Sequence, residues 1–319
     1  MTSSHIQPCP VCNTADNPKH LFDKTEGTSN KNSISLYRCA SCKTAFLGQY
    51  DLSYDDQLYA YYEKYKGKHK TELFDAVTRK SYLKVLALLQ SQTEVNSILD
   101  VGCGIGDFVN TAVEEGFDAQ GIELAKPAVE IAQEHNLPVE HVDFFSETIS
   151  ESSVDALTMF EVIEHLPYPV SFLKRAANVV KPGGLVYLTT PNFNSLDRRA
   201  LGKEWAAIHR EHLCYFTVKT LLNAVRKNTD LEVILVGSRN ISEQLINKIR
   251  SKPSKQIFLD HSRETKEGDG SCTTDSTDLR TKIDKSSVLS SAKNLINWIV
   301  NATNTGSTIV LLLKRPQAK

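Results

Sequence analysis

The sequence predicts an α/β fold: an open sheet covered by helices on both sides, preceded by a small four-cysteine module. Three observations carry this. Between Ser97 and Val236, apolar runs of about five residues alternate with amphipathic stretches of about ten, the pattern of strands and helices in a layered sheet. A glycine-rich turn joins the first of those strands to its helix. Four of the seven cysteines form two C-x-x-C pairs before residue 50.

The 319 residues suffice for one large core with a small appendage. Hydrophobic residues at 40% and charged residues at 24% exclude wholesale disorder. Lys+Arg 37 against Asp+Glu 38 leaves a formal charge of -1, which argues against a chain whose main work is gripping nucleic acid. No run is long enough to span a bilayer, and Met1 to Pro10 has no apolar signal core, so the expected compartment is the cytoplasm. Cysteine usage fits a reducing environment: one metal site plus the single residues Cys103, Cys214 and Cys272.

In chain order, residues 1–50 read as a zinc-binding module and 51–95 as a Tyr-rich helical lid and linker. Residues 96–319 read as the catalytic domain, with a mobile insertion expected at 251–290. Ser97 to Val101 is a strand running into glycines, and Phe108 to Val113 the helix after it. Phe117 to Glu123 is a strand, Lys126 to His135 a helix with Pro127 in its first turn, and Val139 to Asp143 a short extended piece. Val154 to Phe160 is a strand and Pro169 to Val180 a helix, halted by Lys181-Pro182-Gly183-Gly184. A strand from Leu185 to Thr190, a helix from Thr217 to Lys227 with Thr217 as N-cap, and a strand from Leu231 to Val236 complete the alternation. Ile241 to Ile249 and Ala292 to Val300 read as helices. Thr308 to Leu313 is an apolar strand expected to pair with Leu231 to Val236.

Gly102-Cys103-Gly104-Ile105-Gly106 permits positive φ and close approach of a ligand to the backbone, in front of the free N–H groups of a helix. The spacing is neither G-x-G-x-x-G nor a phosphate loop with Lys-Ser/Thr. Glu123, ending the next strand about twenty residues on, can accept from both hydroxyls of a ribose. Asp143 can reach an adenine edge. This set fits a nucleoside cofactor without a pyrophosphate and points away from hydride transfer.

Ile98 to Asp107, Gly121-Ile-Glu123, Met159 to Leu166, Leu173 to Gly184 and Thr189-Thr-Pro-Asn192 together resemble the class I S-adenosylmethionine (SAM)-dependent methyltransferases. The likeness is nearest the ubiquinone-biosynthesis O-methyltransferase-like branch and covers roughly residues 80–240 and the last strand. It implies a seven-stranded, mostly parallel Rossmann-like sheet flanked by helices, with one antiparallel strand near the edge. It also implies that Asp100, Gly102, Cys103, Gly104 and Gly106 line the methionine end of SAM. Glu123 would hold the ribose, Asp143 and Phe144 border the adenine, and the Phe160 backbone lie near the amino group. Cys103 itself needs no chemical role and is expected to fill space beneath the turn.

Cys9-Pro-Val-Cys12 and Cys39-Ala-Ser-Cys42 have the spacing of a four-thiolate zinc site, the 26 residues between the pairs being able to form a hairpin. Four protein ligands make the metal structural. His5 and His20 are minor alternatives as ligands. Tyr37-Arg-Cys-Ala-Ser-Cys-Lys resembles the zinc module that precedes some sugar methyltransferases, though this chain lacks room for their additional C-terminal domain.

On the acceptor side, Tyr59, Tyr61 and Tyr62 resemble a lid over donor and substrate, against the plainer reading of a helix packed on the sheet edge. Glu161, Glu164 and His165 follow a strand end. The resemblance associates such positions with a divalent cation; acid–base work or simple bracing of the loop are the alternatives. The stretch Trp205 to Phe216 can form an acceptor lid. His212 is the preferred general base, His209 the second choice and His165 the third. Arg210, Asn192 and Tyr215 are candidate substrate contacts. The expected activity is methyl transfer from SAM to a small molecule, most readily to a hydroxyl oxygen. Carbon or nitrogen methylation of a nucleotide-sugar or other metabolite, RNA or protein methylation guided by the zinc module, and a non-catalytic SAM-binding partner are the alternatives. The sequence leaves the oligomeric state open.

Overall fold

The structure, a computed structural model, describes residues 6–25, 33–50, 62, 64–250 and 287–317. Tyr59, Tyr61 and most of the expected insertion at 251–290 lie outside the described residues, as do His5 and Cys272.

The N-terminal strands β1 (Lys19–Thr25) and β2 (Ser33–Arg38) form an antiparallel hairpin, and β3 (Ala45–Leu47) pairs antiparallel with β2. Helices α1 (Lys70–Leu73) and α2 (Ala76–Gln90) lead into the main sheet. The Asp75 carboxylate caps α2 by accepting from the N–H groups of Val77 and Thr78, both at 2.9 Å. The helix lays Val85, Leu86 and Leu89 on one face of the sheet.

Five strands and three helices build the parallel part of that sheet. They are β4 (Ser97–Val101), α3 (Asp107–Glu114), β5 (Asp118–Glu123), α4 (Lys126–Glu134), β6 (Val139–His141), β7 (Val154–Phe160), α5 (Pro169–Val179) and β8 (Val180–Pro191). Helix α6 (Leu196–Leu201) and the two-residue strand β9 (Cys214–Tyr215) follow, then α7 (Val218–Asn228), β10 (Glu232–Arg239), α8 (Glu243–Arg250), α9 (Ser287–Ala302) and β11 (Thr308–Lys314).

The seven strands lie in the order β10-β11-β8-β7-β4-β5-β6. Only β11 runs antiparallel to its neighbours β10 and β8; the β8-β7-β4-β5-β6 pairs are parallel. The expected seven-stranded, mostly parallel sheet is therefore present, and β11 pairs with β10 as the apolar run at 308–313 implied. One apolar layer lies beneath α5 and α7, a second beneath α2 and α3.

Some boundaries differ from the sequence reading. Lys181-Pro-Gly-Gly184 does not form a free turn: β8 already begins at Val180, and Gly183 and Gly184 exchange backbone hydrogen bonds with Arg315. The last strand thus zips the breaker residues into the sheet. Strand β10 continues through Gly237 to Arg239, and α9 starts at Ser287, so residues 287–290 of the expected insertion are helix. The Thr217 cap is present as a capping box closed reciprocally with Thr220.

The four-cysteine module is built into this core. Strand β3 pairs with β9, making a second sheet β1-β2-β3-β9, and Cys9, Cys39 and Phe46 pack in the same apolar layer as Leu157, Leu188 and Phe216.

Candidate active site

Chain order reverses direction at β4: β5 and β6 extend one way, β7 and β8 the other. Such a switch point opens a crevice at the carboxyl ends of β4 and β7, where open α/β sheets bind ligands. The glycine turn fills its floor. Gly102, Gly104 and Gly106 have φ of 69°, 55° and 82°, all left-handed. A Cβ on Gly102 would sit 2.7 Å from Val162 Cγ2, and one on Gly106 2.9 Å from Leu137 Cδ1, so both positions demand glycine for space as well as for φ. The N–H groups of Gly102 and Cys103 donate to the Ile122 carbonyl, which ties the turn to β5. Gly121 leaves room for the Cys103 thiol, as expected of a space-filling residue.

Around this floor the structure gathers the expected donor-side residues. One Glu123 carboxylate oxygen accepts from Gly104 N–H at 2.9 Å; the other accepts from Leu124 and Ala125 N–H at 2.7 and 2.8 Å. Asp100 is 3% exposed and accepts from the Thr158 hydroxyl at 2.6 Å; burial pushes its carboxyl up to about 8 despite that bond. Asp107, at the start of α3, is pushed up to about 7, again by burial, and its Oδ1 is buried with no protein partner. The Tyr62 hydroxyl lies over Gly104, 3.6 Å from where a Cβ would be. Asp143 folds back on the N–H of Phe145, and Phe144 is buried against Phe172. The Phe160 side chain points away into a ring cluster with Tyr82, Phe108 and Tyr187, leaving its backbone at the crevice.

The other wall carries the histidines. His165 and His212 meet edge to face with ring centroids 4.5 Å apart, and His209 and His212 stand at 3.9 Å. Their bonds fix the tautomers of two rings. A carbonyl can only accept, so His165 donates from Nδ1 to Glu211 O at 2.9 Å and His212 from Nδ1 to Ala207 O at 2.8 Å. In both, Nε2 keeps its lone pair. Burial, then the neighbouring histidines, depresses the His212 pKa well below the usual range, and burial brings His209 down to about 4. The cluster is neutral at physiological pH.

Glu164 lies beside them, 1% exposed; the Thr190 hydroxyl donates to its Oε2 at 2.8 Å while its Oε1 has no hydrogen-bond partner. Burial raises its pKa well above the normal carboxylate range, with Glu161 the next cause. Ligand atoms of Glu164, His165 and His212 fall within 4.8 Å of one another. The expected trio of Glu161, Glu164 and His165 is thus regrouped, with His212 in and Glu161 out. Glu161 instead sits in left-handed backbone (φ 54°) at the end of β7. Burial raises its pKa, partly offset by the Thr189 hydroxyl, the Arg239 charge from the end of β10 and the neighbouring Glu164.

Two expected substrate contacts are committed elsewhere. Asn192 is wholly buried and donates to the carbonyls of Asn304 and Gly306 while accepting from Asn194 N–H. The Tyr215 hydroxyl donates to His209 O at 3.1 Å in a buried setting. Both shape the wall from behind. Arg210 is half-buried beside the cluster in sequence. The 205–216 segment expected as a lid is a packed wall: Trp205, Ile208, Leu213, Tyr215 and Phe216 are all buried.

At the N-terminus the Sγ atoms of Cys9 and Cys42, and of Cys12 and Cys39, stand 3.5 Å apart, and all four lie within 4.8 Å of one another. None is disulfide-bonded. A tetrahedral site with Zn–S of about 2.3 Å needs sulfurs about 3.8 Å apart, so the donor set fits. Each knuckle turns through a left-handed residue just after its second cysteine, Asn13 and Lys43. Hydrogen bonds, first from the Cys9 thiol, lower Cys42 to about 5. His20 pairs with Asp23 instead.

A family model described as a methyltransferase domain matches residues 70–236. A ubiquinone biosynthesis O-methyltransferase of Escherichia coli O9:H4 (strain HS) is 34% identical over 171 residues, 50% of this chain and 68% of that protein. One from Paracidovorax citrulli is 34% identical over 125 residues, 37% of this chain and 51% of that protein, so the chain spans about half of that relative. Among solved structures, a chain from the Haloferax volcanii complex between the Trm112 methyltransferase activator and a methyltransferase superposes with a TM-score of 0.52. It is 18% identical and covers 84% of this chain and 99% of that one, a likeness of fold alone. With the glycine turn at the switch point and a match across half its length, the chain belongs to this methyltransferase-domain family and is a SAM-dependent methyltransferase.

Proposed function

We propose that the protein methylates a hydroxyl oxygen of a small-molecule acceptor, with His212 as general base. The observation that carries this is the bonding of the histidine wall: Nδ1 of His212 is occupied by the Ala207 carbonyl, so Nε2 keeps a lone pair able to accept a proton.

SAM supplies the methyl as a sulfonium, which loses its positive charge as the C–S bond breaks and the O–C bond forms. Glycine φ values, the Glu123 carboxylate, the orphaned Asp107 oxygen and the buried Asp100 carboxyl, which a neighbouring cation would ionise, fit a cationic nucleoside. Glu123 would exchange its bond to Gly104 for the ribose hydroxyls; Asp100 and the 102–106 backbone would hold the methionine end, with Asp143 and Phe144 at the base. Tyr62 would close over the donor and exclude water. His212 Nε2 would take the hydroxyl proton as oxygen attacks, with His209 stacked behind it. Most of the rate then comes from alignment in a dry site.

The unpartnered Glu164 Oε1 favours a second reading of the same wall, in which Glu164, His165 and His212 hold a divalent cation that acidifies the acceptor hydroxyl. The four-cysteine module would hold a structural zinc. Among the described residues every cysteine is a free thiol, which fits the cytoplasm. No helix among the described residues is long and apolar enough to cross a membrane.

His212→Ala tests the base. SAM affinity should stay within about twofold while turnover falls roughly 10²–10⁴-fold, the usual worth of a positioned base. Wild-type turnover would remove His212 from the mechanism. Turnover that survives exhaustive chelation and is not stimulated by added divalent ions would remove the cation.

A further inference from the structure

The histidine wall does not hold itself up. Its two-residue strand β9 is too short to persist alone, and its neighbours in the sheet come from the cysteine module. The chain of bonds is continuous. The second knuckle closes with Cys39 N–H on Thr44 O, and β3 begins at the next residue. Ala45 and Phe46 pair with Tyr215 and Cys214, and Leu47 N–H donates to Leu213 O at 3.0 Å. Leu213 N–H in turn donates to the backbone carbonyl of Glu164 at 2.8 Å. From the hairpin, Lys24 Nζ donates to Ile208 O at 2.6 Å. The carbonyls that orient His212 and His165, those of Ala207 and Glu211, lie in this same segment.

Packing repeats the pattern. Trp205, Ile208, Leu213 and Tyr215 share one apolar cluster with Ile34, Leu36, Ala45 and Leu47 of the module. The donor floor is hydrogen-bonded otherwise, from Gly102 and Cys103 to Ile122 and from Gly104 to Glu123; it meets the module through the apolar layer that Leu99, Val101 and Ile122 share with Cys9, Cys39 and Phe46.

We propose that the metal-bound cysteine module is the positioning element for the acceptor wall: filling the four-thiolate site fixes β3, β3 fixes β9, and β9 sets Glu164, His165 and His212, while the donor grip is independent of the metal. This rests on the zinc reading above, but its readouts do not require turnover. Zinc removal should therefore loosen one half of the active site only.

The test compares full-length zinc-loaded, zinc-stripped and cadmium-restored protein. Hydrogen exchange in peptides covering 161–166 and 205–216 should accelerate at least about tenfold on stripping, while 97–106 and 118–125 change less than about twofold. Long-range ¹⁵N–¹H spectra should show His165 and His212 as Nδ1–H tautomers in the loaded protein, averaged tautomers when stripped, and recovery with cadmium. SAM affinity by calorimetry should stay within about twofold throughout. Lys24→Met in the loaded protein, which removes the half-buried ties to Ile208 O and Trp205 O and no ligand, should speed exchange in 205–213 with zinc retained. Unchanged tautomers and exchange after stripping would overturn the proposal. So would loss of SAM binding in parallel, because the metal would then hold the whole fold. Selective loosening on stripping, combined with no methyl transfer by the zinc-loaded protein, would leave the coupling standing and refute the proposed activity.

Discussion

Replacement of Glu123 separates two jobs that the structure gives to one carboxylate. Its three acceptor bonds, at 2.7–2.9 Å, go to Gly104, Leu124 and Ala125. The latter two N–H groups open α4, whose N-cap Ala125 has no side-chain acceptor, so Glu123 acts as a cap from two residues upstream. Losing a cap costs about 1 kcal/mol. In a chain of this size that lowers Tm by about 2–4 °C. The second job is the proposed grip on two ribose hydroxyls. Hydrogen bonds to a charged group contribute about 1.5–3 kcal/mol each, and taking the low end for both gives about 3 kcal/mol, roughly 150-fold in Kd. Glu123→Ala should therefore weaken SAM by about two orders of magnitude in calorimetry while far-ultraviolet dichroism is unchanged. Glu123→Gln keeps an acceptor for α4 but turns a donor toward Gly104 N–H; it should nearly restore Tm and recover only part of the affinity. A Kd within about threefold of wild type in Glu123→Ala would refute the ribose assignment. Equal loss of affinity and fold would show that the cap alone was at stake.

Other outcomes follow from the same geometry. Asp100 titrates near 3.9 in an unfolded chain but about 8 in the fold, so the folded protein holds an extra proton across that interval. Its contribution to stability is full below pH 4 and is lost as pH rises through 8. A cationic donor favours the anion, so SAM binding below pH 8 should release up to one proton, read as a binding enthalpy that varies with buffer ionisation; Asp100→Asn should abolish the variation. Gly102→Ala forces a Cβ within 2.7 Å of Val162 in left-handed backbone; it should cost about 1–2 kcal/mol and weaken SAM, both measurable by thermal shift with and without donor. Metal analysis of freshly purified protein should find one zinc per chain, lost in the Cys39→Ser, Cys42→Ser double variant. Absence of zinc from the wild type would remove the structural metal.

Why the sheet was legible and the wall was not comes down to where each stores its information. Strands β4, β7 and β8 are buried on both faces, so each reads as a largely apolar run, and the glycine turn between β4 and α3 is obligatory because Gly102 and Gly106 have no space for a Cβ. That strand–turn–helix signature is written in consecutive residues, although the side chains that crowd it, Val162 and Leu137, come from farther along the chain. The breaker at 181–184 does halt the helix, at Val179, but the early start of β8 is decided by Arg315, more than a hundred residues away, whose backbone pairs with Gly183 and Gly184. Local propensity cannot anticipate a ladder supplied by the last strand.

The acceptor wall is an extreme of that second kind. His165 and His212 are 47 positions apart, and the backbone bond from Leu213 to Glu164, backed by the β3–β9 pairing that joins residue 46 to residue 214, holds their rings at 4.5 Å. Sequence spacing could nominate each histidine but not the carbonyls that set its tautomer, nor the exchange of Glu161 for His212 beside Glu164. Those follow from a strand of two residues whose sheet is assembled around four cysteines. A side chain chosen for its chemistry is useful only when its ring is held in one tautomer. Here the groups that hold it are backbone carbonyls of a segment with little structure of its own. Stability borrowed from the module is therefore also orientation borrowed from it, which is why the cysteine pairs belong in an account of catalysis although none of them touches the crevice floor.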